Sequence, residues 1–203
     1  MFGQDRESDT GDPLDRGSSV VTYRLHLQYW EERIVAGLSG DERLQAAVER
    51  EGDFGEWFIC RRIHGTVEGS ILSEGQLGKV LVRTGCLGLG KRSLASAAGI
   101  SPVKAQQLLN QYYAVFVDNQ RWLKENGPKN AQRIVAELID GYVQDSLRRC
   151  LARIPWDWKH AGELVFELPS YIYDVQAVKF FHHFFEREVE IEGSAVRLPI
   201  RIE

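Results

Sequence analysis

Cations concentrate in the middle of the chain, and they are the residues whose types and spacing could do chemistry. Lys79, Arg83, Lys91, Arg92, Lys104, Arg121, Lys124, Lys129 and Arg133 face only Asp118 and Glu125, a local excess of seven positive charges in a chain of net charge −4. Such a run can form an electrostatic footprint for a polyanion. Solvated helix faces account for it as well. The net acidity argues against a generally basic nucleic-acid binder, so any such surface is local. Arg83, Lys91, Arg92 and Lys104 are candidate nucleic-acid contacts. Gln144, Arg148 and Arg149 join them, because sequence-independent binding needs only phosphate contacts and stacking. Polar residues on an exposed helix would look the same.

Other chemistries find less support in the spacing. His160, His182 and His183 make no metal motif, since adjacent helical residues 182 and 183 point about 100° apart. Cys60, Cys86 and Cys150 are scattered, with no C-x-x-C pair, and read as buried reduced thiols in a cytoplasmic protein. No Ser-His-Asp or Cys-His arrangement can be argued. Glu31 and Arg33 read as a structural ion pair, and Phe180, Phe181, Phe184 and Phe185 as core. With 43% hydrophobic and 27% charged residues, the composition is that of a soluble globular protein. No apolar run is long enough to span a membrane, and the N-terminus has no signal-peptide core.

The elements that must position these residues follow from periodicity and caps. Residues 1–18 are polar and read as a disordered lead, and 19–203 as a single domain. Val20–Tyr29 is β-branched and aromatic with partial alternation, a strand with Leu25 and Leu27 on one face. Helical spacing begins near Trp30, breaks at Ser39-Gly40 and resumes behind Asp41 as an N-cap. A short helix is expected over Asp53–His64. Ser73 caps a longer helix carrying Lys79, ending near Leu87. Arg92–Ala98 is a short helix stopped by Gly99. Ser101-Pro102 opens a helix that runs through Trp122 to Asn126, and Gln132–Ile154 is the longest helix. The stretch Trp158–Pro169 reads as a strand pair or bent strand closed by proline. A helix over Asp174–Arg187 and strands near Glu188–Ile191 and Ala195–Ile202 complete the chain. Helices on a small antiparallel sheet make the fold class α+β.

The order of these features resembles family A DNA polymerases, in their palm and fingers portion and in a phage-like form. Glu163-Leu164-Val165-Phe166-Glu167-Leu168-Pro169 is similar to the palm strand in which a His-Asp-Glu triplet precedes Leu-Val-Phe-Glu-Val-Pro. Arg33-Ile34-Val35-Ala36-Gly37-Leu38-Ser39-Gly40-Asp41-Glu42 is similar to the segment after the first catalytic strand. Gly78-Lys79 fits the fingers-helix lysine that holds the incoming triphosphate, and Tyr142-Val143-Gln144 the helix with a template-contacting glutamine. Gly99-Ile100-Ser101 and Tyr112-Tyr113 match the segment behind the fingers helix. The likeness covers nearly all of the chain after residue 20. It implies a palm-type sheet with a helical fingers-like part over about residues 66–100.

The same resemblance implies that the reaction is gone. Family members hold two divalent ions with two aspartates, one on each palm strand. Here the first position holds His26 and the second Gly162. Glycine offers no ligand atom, and imidazole suits magnesium poorly. The triplet's third residue, Glu163, alternates away along the strand, as does Asp157. On the fingers helix, Gly75 stands for an arginine, and Arg83 and Leu87 for the aromatic pair that stacks on the base. Glu31 matches the glutamate that restricts the sugar.

The expectation is therefore a non-enzyme without metal or cofactor, binding DNA or acting as a scaffold in DNA replication or a related phage process. The alternative is a protein-interaction module whose old cleft is covered by a protein partner or a second copy. A subunit of a split polymerase is the remaining reading. No membrane partner is expected.

Overall fold

A computed structural model describes residues 20–49, 69–149, 156–159, 163–169 and 174–202. The expected lead and the expected helix over 53–64 lie outside them. The elements run β1 (Val20–Leu27), α1 (Trp30–Ser39), α2 (Glu42–Val48), α3 (Glu74–Cys86), α4 (Lys91–Ala98), α5 (Pro102–Val115), α6 (Val117–Asn126) and α7 (Pro128–Arg149). Then follow β2 (Trp156–Lys159), β3 (Glu163–Pro169), α8 (Asp174–Phe185), β4 (Arg187–Ile191), β5 (Ser194–Leu198) and β6 (Ile200–Ile202). The class is α+β, as the patterning implied. No helix among the described residues is long and apolar enough to cross a membrane.

The main sheet has strand order β2-β3-β1-β6 and is antiparallel at each pairing, and β4 and β5 form a separate hairpin. The expected last strand is thus two strands. Pro199 cannot donate to a ladder, and there the chain leaves the hairpin so that β6 pairs with β1. Trp30 secures the crossing: its indole N–H donates to the Pro199 carbonyl at 2.7 Å.

Helix α1 is the hub. It packs on α2, α3, α6, α7 and the β4–β5 hairpin, and its residues Trp30 and Ile34–Ala36 belong to one buried cluster with Leu25, Leu77, Leu81, Tyr112, Phe116 and Phe181. Close packing on the hairpin requires Gly37, because a Cβ there would lie 2.8 Å from a Val196 methyl.

Two helix boundaries differ from the periodicity. The expected helix over 102–126 breaks at Phe116, whose φ of −106° and ψ of 71° are non-helical. Phe116 is 1% exposed, and its burial outweighs one helical turn. The freed N–H groups of Asp118 and Asn119 both donate to Asp41 Oδ2, at 3.1 Å each. Helix α7 starts at Pro128, not Gln132, since proline is well suited to a first helical turn. Its expected end, 150–154, lies outside the described residues.

Candidate functional site

Helix α3 carries the first two candidate residues. It begins in a capping box: the Ser73 hydroxyl accepts the Gln76 N–H at 3.3 Å, and the Gln76 side chain accepts the Ser73 N–H at 3.1 Å. Lys79 is exposed on this helix. Arg83, one turn on and on the same side, reaches α1. Its Nε lies 2.7 Å from Glu31 Oε2, and its Nη2 donates to Glu31 Oε1 at 3.0 Å.

The expected Glu31–Arg33 pair is therefore not what forms. Residues two apart on a helix do not face each other. Arg33 instead turns inward and donates to the backbone carbonyls of Arg197, at 3.2 Å, and Val48. Burial holds its guanidinium below the usual arginine range. The Arg83–Glu31 pair is half open to water, with side chains 54% and 30% exposed, so it is worth under about 1 kcal/mol. Arg83→Gln is expected to lower stability by that much in low salt and by less in 1 M salt, read by urea unfolding.

The far end of α3 is gripped harder. Three side chains from three other helices satisfy three successive carbonyls. The Tyr113 hydroxyl of α5 donates to Gly85 O at 3.1 Å, the Asn119 amide of α6 to Cys86 O at 3.4 Å, and the Gln132 amide of α7 to Leu87 O at 3.1 Å. Tyr112 donates to Asn119 Oδ1 at 3.2 Å. Burial pushes both the Cys86 thiol and the Tyr112 hydroxyl well above their usual ranges, so both stay protonated and structural.

Lys91 and Arg92 form the exposed first turn of α4, which contains no acidic residue and whose cap, Gly90, gives no side-chain hydrogen bond. Two cations at the positive end of a helix dipole are destabilising. Neither has an ion-pair partner among the described residues. Lys104 sits half-buried in the first turn of α5, which also lacks an acid. Helices α4 and α5 pack on α3 and on each other, so the structure gathers these residues around one helix.

Gln144, Arg148 and Arg149 are on α7, the glutamine half-buried and the arginines exposed. Arg149 is 3.9 Å from Asp145, which also holds Arg187 at 2.8 Å. The hydrogen bond from Arg187 keeps Asp145 below the usual carboxylate range. His182 is 2.8 Å from Glu186, which accepts from Arg197 at 2.6 Å; this histidine belongs to a surface hydrogen-bond network.

His26 is on β1, half-buried, with Glu163 of β3 and Arg201 of β6 as its cross-strand partners. His160 and Gly162 lie outside the described residues. Among the described residues no group of three or more His, Cys, Asp or Glu is placed to hold a metal ion.

Glu32 is the residue that sequence reasoning missed. It is 7% exposed on the inner side of α1. Burial, aided by the adjacent Glu31 carboxylate, raises its pKa to about 7. The signal was its helical spacing from Val35 and Ala36, which puts a carboxyl in the apolar stripe.

No protein-family model matches the sequence. No curated protein matches it either. Among solved structures, the fold is similar to the POL domain of Pol1 from M. smegmatis in complex with DNA primer-template and dNTP, with a TM-score of 0.69 at 14% identity. The match takes in 92% of this chain but 39% of that one, so this chain spans well under half the length of that polymerase chain. The chain has a polymerase-like α+β fold.

Proposed function

We propose that this chain is a catalytically inactive polymerase-like protein that binds DNA through the helices around α3, as an accessory or scaffold factor in DNA replication or a related phage process. The observation that supports the DNA-binding half is the cation distribution on a polymerase-like fold. Lys91 and Arg92 stand exposed at a dipole end that disfavours them, with Lys104 and Lys79 on the helices packed beside it. Keeping cations there costs stability, and phosphate oxygens would offset that cost.

The inactive half rests on residues 26 and 162. By the resemblance they stand where the family keeps its metal-binding aspartates, and neither imidazole nor glycine replaces a carboxylate on magnesium. Primer extension with magnesium or manganese is expected to yield no product above background. Incorporation that depends on the ion would end this half of the reading.

The DNA half is tested by fluorescence anisotropy across a salt series. If Lys79, Lys91, Arg92 and Lys104 each neutralise one phosphate, affinity for a duplex falls about a hundredfold from 50 to 200 mM salt. Replacing Lys91, Arg92 and Lys104 with glutamate together is expected to flatten the log–log salt slope by roughly 3. Binding that is absent at low salt, or a slope the triple variant leaves alone, would remove DNA as the partner.

A further inference from the structure

Three arginines outside the α3 surface converge on one carboxylate where β4 meets α7. Tyr142, Asp145, Arg148 and Arg149 follow one another at helical spacing, with Asp145 three or four residues from each of the others, so they share a side of α7. Arg187, the first residue of β4, reaches that side. Its Nη2 donates to Asp145 Oδ2 at 2.8 Å, and its guanidinium carbon lies 5.9 Å from the centroid of the Tyr142 ring. The carboxylate and the ring together fix this side chain, which is 14% exposed. Arg149 Nη1 stands 3.9 Å from the same Asp145 oxygen, too far for a hydrogen bond. Arg148 is exposed and has no ion-pair partner among the described residues. The hydrogen bond from Arg187, and then the charges of Arg187, Arg149 and Arg148, hold the Asp145 carboxyl below its usual range. The acids beside Arg187 in sequence do not help. Glu186 is occupied by Arg197 and His182, and Glu188 alternates to the other face of β4. Three guanidiniums against one carboxylate leave two positive charges uncompensated at one point, with most of their N–H donors unused.

We propose that this cluster is a binding site for a phosphate monoester, carried by the end of a nucleic-acid strand or by a free nucleotide, with Arg148, Arg149 and Arg187 as its ligands and Asp145 and Tyr142 positioning Arg187. A monoester carries about −1.5 to −2 charge near pH 7 and three acceptor oxygens, which matches the uncompensated charge. Guanidinium forks pair with such oxygens bidentately. A diester inside a strand brings a single charge, and its neighbours are spread along the backbone, so cations gathered at one point suit a terminus better. The site lies on α7 and β4 and is separate from the cations around α3, so it stands whether or not those cations meet DNA.

Titration of the full chain with 2′-deoxyadenosine 5′-monophosphate to about 10 mM, followed by backbone amide ¹H–¹⁵N shifts, tests the site without DNA. Amides of residues 142–149 and 186–188 are expected to move, and deoxyadenosine should leave them still. Anisotropy with single-stranded oligonucleotides bearing a 5′-phosphate, a 3′-phosphate or neither then identifies the source. A phosphorylated end is expected to bind about tenfold tighter than hydroxyl ends. Moving amides without that preference would assign the site to free nucleotides. Binding of no oligonucleotide at all would fail the DNA reading and leave the amide shifts to decide this one. Arg187→Gln should abolish the response to phosphate, and Arg148→Gln, at an exposed position, should weaken it even if β4 needs Arg187 to fold. Asp145→Asn keeps an acceptor for Arg187 and removes the competing negative charge. It should tighten phosphate binding, an effect that loss of a purely structural tie would not produce. Amides that the monophosphate leaves unmoved, or a response that survives both arginine substitutions, overturns the proposal.

Discussion

Replacing Asp41 with alanine is expected to cost about 3–5 kcal/mol of folding stability, read as a shift in the urea midpoint at constant slope. One carboxylate serves two helices here. Its Oδ1 accepts the Leu44 N–H at 3.0 Å and caps α2; its Oδ2 accepts the N–H groups of Asp118 and Asn119 and caps α6. A single cap is worth about 1 kcal/mol. The larger loss arises because the residue is 2% exposed, so water cannot replace the acceptor, and each orphaned buried N–H costs about 1–3 kcal/mol. The negative charge also faces the positive ends of two helix dipoles at once. Asp41→Asn tests the division of labour. Its one acceptor oxygen can keep either the α2 contact or the α6 pair, so about half of the stability should return. A full return would mean that the second cap contributes nothing.

Gly85→Ala is expected to destabilise by about 2–3 kcal/mol, against the sign that helix propensity alone would give. In a helix interior alanine is favoured over glycine by about 1 kcal/mol. A Cβ at residue 85, however, would sit 2.5, 2.6 and 2.8 Å from ring carbons of Tyr112. The ring cannot retreat: Tyr112 is fully buried, packs on Phe116 at 4.8 Å between centroids, and is tied by its hydroxyl to Asn119. Overpacking of this kind costs about 1–3 kcal/mol or more, and it outweighs the propensity gain. Tyr112→Phe is the control: it keeps the ring, and alanine at 85 should cost as much in that background. If the tyrosine background alone shows the loss, the hydroxyl network and not the ring is what glycine protects.

Much of the frame was legible because local signals agreed with tertiary need. Asp41, Ser73 and Ser101 were readable as caps, Gly99 and Pro102 as punctuation, and the Leu25 face of β1 as buried. What stayed hidden depended on partners distant in sequence. Nothing local marks Phe116 as a helix break, since its burial and the Asp41 acceptor both come from elsewhere. The division at Pro199 becomes sensible only once β1 is known to offer an edge for β6. Within the site, the cation run was readable from composition, but Arg83's engagement with Glu31 was not, because 52 residues separate them. The expected pairing of Arg33 with Glu31, two residues away on one helix, is one that helical geometry forbids. Glu32 escapes notice because an acid in the charged run Glu31-Glu32-Arg33 looks like surface until the fold buries it.

The arrangement of the main sheet also governs how the chain reaches its folded state. β1 is the earliest strand and lies inside the sheet, between β3 and β6. Its backbone N–H and C=O groups therefore wait, without a ladder, until β3 and β6, both far along the chain, arrive. Closing so long a loop carries its entropic cost before any pairing offsets it, which favours slow acquisition of the sheet relative to the helices. In that interval an unpaired, β-branched segment is open to the same segment of another molecule. Intermolecular association during refolding should thus rise with concentration and be suppressed by a peptide spanning residues 163–169.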